Sequence, residues 1–98
     1  MNEESEKIMA KLRALKPVLQ SQMGIKRLRV FGSVARGMAT ENSDVDLIAY
    51  FDRLPGLLGF VGIKQDIEER LGRKIDLFTE KSVDKYIRKT VLSEARDV

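Results

Sequence analysis

The chain has no cysteine and no histidine. The first absence excludes disulfides and thiolate metal sites, and the second removes imidazole as base, nucleophile or ligand. Any chemistry must rest on carboxylates, hydroxyls, Lys, Arg or a bound hard cation. No apolar run approaches the roughly 18 residues that a membrane-spanning helix needs. The opening Met1-Asn2-Glu3-Glu4-Ser5-Glu6 is acidic and lacks the basic start and apolar stretch of a secretory signal. Cytoplasm is the default, and no membrane partner is expected. A basic block is also missing, since 18 Lys and Arg are dispersed among 15 Asp and Glu for a net charge of +3. Without a clustered basic face or interleaved aromatics, direct nucleic-acid binding is not expected. The small positive balance suits a polyphosphate substrate or an acidic partner protein. There is no repeat, low-complexity tract or linker.

What is present is 98 residues, 43% hydrophobic and 34% charged, enough for one small domain over 1–98 and too few for a separate substrate-selecting lobe. Ile8, Leu12, Leu15 and Leu19 fall at helical spacing and predict an amphipathic helix between Glu3 and Met23, which Pro17 is expected to kink or end. Lys26 to Phe31 alternates and stops at Gly32-Ser33, a short strand feeding a turn. After the polar stretch Thr40 to Ser43, a second strand runs from Asp44 to Phe51. It sets Val45, Leu47, Ala49 and Phe51 on one face and Asp44 and Asp46 on the other.

The connector Arg53 to Gly59 carries Leu54, Leu57 and Leu58, which are expected to cap the core, with a partner contact as the alternative. Phe60, Ile63, Ile67 and Leu71 mark a second main helix ended near Gly72. Lys74 to Phe78 is a third strand with Asp76 opposite Ile75 and Leu77. Val83, Ile87, Val91 and Ala95 give a closing helix from about Ser82. The order α-β-(short α)-β-α-β-α predicts an α/β (α+β) domain, a mixed sheet of three strands or slightly more packed with helices.

Two carboxylates at positions i and i+2 of a strand point the same way with Cα atoms roughly 6.5 to 7 Å apart, a gap that a divalent cation bridges. A hard, oxygen-seeking ion such as Mg²⁺ is the natural stabiliser of such a pair. If the third strand lies beside the second, Asp76 joins Asp44 and Asp46. Three carboxylates can hold two metals, one activating an attacking hydroxyl and the other neutralising a leaving pyrophosphate. Gly32-Ser33 is the complementary half: glycine lets backbone N–H groups approach phosphate oxygens, and Ser33 can donate its hydroxyl. A helix from about Val34 adds its positive end, Arg36 neutralises nucleotide charge, and Gly37 lets the helix stop.

Each signal is weak alone. Asp-X-Asp at a strand start also reads as a solvated edge, Asp76 as a partner of Lys74 or Arg73, and Arg36 as a surface salt-bridge residue. Ser43 reads as a brace of its turn as readily as a substrate contact. Tyr50 and Tyr86 read as structural rather than base-stacking.

Together, Gly32-Ser33-Val34-Ala35-Arg36-Gly37, Ser43-Asp44-Val45-Asp46-Leu47 and Lys74-Ile75-Asp76-Leu77 form a pattern that resembles the DNA polymerase β-like nucleotidyltransferase superfamily. Within it the chain is similar to the minimal nucleotidyltransferases of prokaryotes, with no departure at the motif positions. The resemblance implies the nucleotidyltransferase fold, with Gly32 and Ser33 on the nucleotide phosphates and Arg36 and Ser43 as further nucleotide-binding candidates. It implies Asp44 and Asp46 as metal ligands and Asp76 as the third carboxylate, ligating metal and favouring deprotonation of the acceptor. The family reaction is attack of a hydroxyl on the α-phosphate of a nucleoside triphosphate. ATP is the expected substrate and Mg²⁺, as two ions, the expected cofactor. Minimal members often stand beside a HEPN-type protein as a toxin–antitoxin pair, so the implied acceptor is a HEPN-type partner silenced by AMP transfer, in some pairs to a tyrosine. The alternatives are a binding-only antitoxin with an idle nucleotide site and a stand-alone nucleic-acid module. Homo-oligomerisation stays open.

Overall fold

A computed structural model describes residues 1–86 and 88–98. Ile87 of the expected closing helix and the side chain of Tyr86 lie outside the described residues.

The first helix, α1, spans Glu3–Met23. Asn2 caps it by accepting the Ser5 N–H on its side-chain oxygen at 2.9 Å, and Glu3, Glu4 and Glu6 place negative charge on the positive end of the helix dipole. Pro17 sits inside α1 and does not end it. The proline removes one hydrogen bond, but Leu12 and Leu19, both buried, hold the helix to the core on either side of it. The helix closes at Gly24, whose N–H bonds the carbonyl of Leu19.

Four strands follow in one sheet: β1 (Ile25–Phe31), β2 (Val45–Phe51), β3 (Ile75–Thr79) and β4 (Arg96–Asp97), in the order β3-β2-β1-β4. β1 is antiparallel to β2 and β4, whereas β2 and β3 are parallel. The parallel pair needs a crossover, which α3 (Leu57–Leu71) supplies. The remaining helices are the single-turn α2 (Gly32–Ala35), α4 (Glu80–Tyr86) and α5 (Arg88–Glu94). The sheet is thus mixed, as expected, and gains a fourth strand that its two residues give too little pattern to reveal.

The alternation of each strand divides the core in two. Leu28, Val30, Val45, Leu47, Ala49, Ile75 and Leu77 pack against Ile8, Leu12 and Leu19 of α1 and Ile67 and Leu71 of α3. On the opposite face Phe31 and Ile48 meet Val83 and Val91, with Phe31 and Phe78 rings 5.5 Å apart. Tyr50 packs against this second cluster, under the Arg27 guanidinium at 5.3 Å, which fits its structural reading.

The expectation that the connector leucines cap the core is overturned. Leu57 and Leu58 form the first turn of α3 and are 79% and 88% exposed, and Leu54 is 56% exposed. The apolar stripe of α3 begins at Phe60 and continues through Ile63, Ile67 and Leu71, so the turn before it stays in water.

Candidate active site

β1 delivers the chain to Phe31 in extended conformation, and Gly32 then turns it sharply with φ at +69°. The single turn α2 begins at Gly32, two residues before the expected start. It is closed by Arg36 N–H on Gly32 O at 3.1 Å and Gly37 N–H on Val34 O at 3.0 Å. Ser33, half-buried, accepts the Met38 N–H on its carbonyl at 2.8 Å. A Cβ added to Gly32 would stand 2.2 Å from Oδ2 of Asp46. Glycine is therefore demanded here twice, by the left-handed backbone and by a carboxylate lying where a side chain would begin.

That carboxylate belongs to a row. Phe31 pairs with Asp46 across the antiparallel strands, and Asp46 pairs with Asp76 across the parallel ones. The pKa of Asp46 is pushed up to about 6, first by burial and then by the negative charge of Asp76. Asp44 adds to the shift, and Arg36 opposes it.

Asp44 is exposed and stands one residue before β2, so the pair of carboxylates expected on a single strand is split between its start and the loop before it. The loop is braced. Ser43 Oγ accepts the Thr40 N–H at 2.8 Å, so its hydroxyl serves the turn-bracing alternative. Arg73 donates to the carbonyls of Thr40 and Ser43 at 3.0 and 2.8 Å and pairs with Glu4. Arg73 thus ties the loop to α1 rather than pairing with Asp76. From the other side Asn2 donates to the Ala39 carbonyl at 2.8 Å, and Ser5 Oγ accepts the Ala39 N–H at 3.0 Å.

The fold therefore brings together Gly32, Asp46 and Asp76, with Ser33 and Arg36 on the same turn and Asp44 near enough for its charge to reach Asp46. Among the described residues no three carboxylates form a ready-made metal cage. Two do converge, and the donor set fits a hard divalent cation: oxygen ligands only, with one carboxylate made to hold its proton tightly by burial and by its acidic neighbour. Arg73, expected only as a partner of Asp76, instead steadies the Asp44 loop, and Glu94 is a residue that sequence reasoning did not place here. The Glu94 carboxylate accepts the Gly32 N–H at 3.2 Å and binds Arg36 Nη1 at 3.2 and 3.3 Å. A lone glutamate 62 positions from the turn it touches leaves no spacing signal.

The nucleotidyltransferase domain family matches residues 12–98. The protein adenylyltransferase MntA of Thermococcus cleftensis is 40% identical over 89 residues, 91% of this chain and 90% of that protein. A solved structure described provisionally as a minimal nucleotidyltransferase is 36% identical, with a TM-score of 0.79 over 96% of this chain and 95% of that one. A chain in the complex of a tri-AMPylated Shewanella oneidensis HEPN toxin with MNT antitoxin is 17% identical, with a TM-score of 0.57 over 95% of this chain and 66% of that one, and so shares the fold. With the Gly32 turn, Asp46 and Asp76 in one site, this chain belongs to the nucleotidyltransferase domain family as one of its minimal members, and it is a nucleotidyltransferase.

Proposed function

We propose that this nucleotidyltransferase moves AMP from ATP to a hydroxyl of a HEPN-type partner protein in the presence of Mg²⁺, and so acts as the antitoxin of a pair. The observation that carries the reading is Asp46 facing Asp76 in parallel register with its carboxylate against the Gly32 turn. The Gly32 N–H, the Ser33 hydroxyl and the Arg36 guanidinium hold the phosphates. Asp76 takes the proton of the acceptor hydroxyl as its oxygen bonds to the α-phosphorus. The bond from that phosphorus to the bridging oxygen breaks, and pyrophosphate leaves. Asp44, Asp46 and Asp76 would hold Mg²⁺, which supplies neutralising charge to the phosphates and acidifies the attacking hydroxyl. Ser43 contributes by bracing the turn that carries Asp44.

What supports AMP and a protein acceptor is the activity named for the Thermococcus relative, together with the AMPylated HEPN complex whose chain shares this fold. The test is intact-mass analysis of a HEPN-type protein encoded next to this gene, after incubation with this chain, ATP and Mg²⁺. Adducts of one or more AMP groups on the HEPN-type protein are expected. A tight complex without adducts would favour the binding-only antitoxin instead.

A further inference from the structure

Two of the three donors assigned to the triphosphate, the Gly32 N–H and the Arg36 guanidinium, are engaged by one carboxylate. Glu94 Oε1 lies 3.2 Å from the Gly32 nitrogen and 3.2 Å from Arg36 Nη1, and Oε2 lies 3.3 Å from the same Nη1. An oxyanion that bridges a backbone N–H of the glycine turn and the arginine one turn on has the charge and the contacts of a phosphate oxygen. The geometry points to Glu94 as an internal stand-in for a nucleotide phosphate, a latch that fills the phosphate subsite and that the triphosphate must displace. This rests on the nucleotide-binding reading of the Gly32 turn given above.

Three features make displacement the expected behaviour. Like charges cannot share these donors, so a phosphate oxygen and the Glu94 carboxylate exclude one another. The contacts are loose, at 3.2 to 3.3 Å where charge-assisted bonds run about 2.7 to 2.9 Å, and the Arg36 side chain is 51% exposed. The backbone around Glu94, by contrast, is anchored. Ala95 N–H bonds the Val91 carbonyl, and the Ala95 carbonyl accepts Arg29 Nη2 at 3.0 Å. Arg96 and Asp97 pair with β1, Arg27 clasps the Asp97 carboxylate at 2.7 and 2.9 Å, and Val98 is buried with its N–H on Leu28 O. Release therefore needs only the Glu94 side chain to swing away, while the strand and helix that present it stay in place.

A latch of this kind reduces nucleotide affinity by the fraction of molecules in which it is closed. The strength typical of a partly exposed ion pair makes that factor about fivefold. The experiment titrates a non-hydrolysable ATP analogue with Mg²⁺ calorimetrically into wild type, Glu94→Gln and Glu94→Ala, with a thermal melt of each. Both variants are expected to bind the analogue about fivefold more tightly than wild type while melting cooperatively. Folded variants that bind it equally or more weakly than wild type would overturn the latch and leave the nucleotidyltransferase reading intact. Failure of wild type and both variants alike to bind the analogue would overturn the latch together with the reading it rests on.

Discussion

Asp46 and Asp76 are directly paired across the parallel strands β2 and β3. Parallel register allows no escape, because side chains opposite one another project from the same face of the sheet at neighbouring heights. The strain of the pair shows in the pKa of Asp46, raised from 3.8 to about 6 by burial and then by Asp76.

The metal-free protein should therefore lose stability as pH rises. The folded chain binds the Asp46 proton from about pH 6 downward, the unfolded chain only from about 3.8. Between those values the folded state holds more protons, so stability falls as pH climbs from about 4 to about 6 and stays lower above. In chelator at pH 7.5, Asp46→Asn is expected to be more stable than wild type by on the order of 1 to 2 kcal/mol, discounted for partial solvent screening. The gap should close near pH 4. Urea unfolding at both pH values checks this, and an Asp46→Asn protein less stable at pH 7.5 would contradict it.

Gly32→Ala and Gly72→Ala form a matched pair. Both glycines have positive φ, +69° and +75°, but a Cβ meets nothing within 4 Å at Gly72 and meets the Asp46 carboxylate at Gly32. Gly72→Ala is expected to cost about 1 kcal/mol of stability and keep activity. Gly32→Ala should cost at least as much and abolish transfer, since the atom it displaces belongs to the site. Equal activities in the two variants would remove the close approach from the account.

Arg73→Met strips two loop carbonyls and Glu4 of their partner at a side chain only 14% exposed. A loss of about 2 to 4 kcal/mol is expected in urea unfolding. With the Asp44 loop loosened, the Mg²⁺ concentration needed for half-maximal transfer should rise. A variant as stable as wild type would show that the brace is incidental.

Leu57→Ser and Leu58→Ser should each change stability by no more than about 0.5 kcal/mol, because both side chains already stand in water. Ile67→Ala, from the buried stripe of the same helix, should cost about 2 to 5 kcal/mol. Comparable losses for Leu57 and Ile67 would restore the core-capping reading of the connector.

The carboxylate pair is more legible in the sequence than its surroundings. Asp46 and Asp76 could be read because strand alternation fixes their face and because each lies beside apolar neighbours that must turn inward. Their pairing could be stated only as a condition, since the parallel register of β2 and β3 depends on α3 crossing between them. Asp44 was read one residue too far into the strand, where period-two spacing does not mark the boundary. The connector leucines misled for a related reason: hydrophobicity says what favours burial, while the end of the α3 stripe at Phe60 decides what is buried. Glu94, Arg73 and β4 act through contacts spanning many positions, and such partners leave no periodicity.

The most direct test of the central claim is transfer of label from α-labelled ATP, with Mg²⁺, to a HEPN-type protein encoded beside this gene, by wild type, Asp46→Asn and Asp76→Asn. Both variants should lose about 100-fold or more of the rate while remaining folded. Transfer at the wild-type rate by either folded variant would contradict the assignment of the paired carboxylates as the catalytic centre.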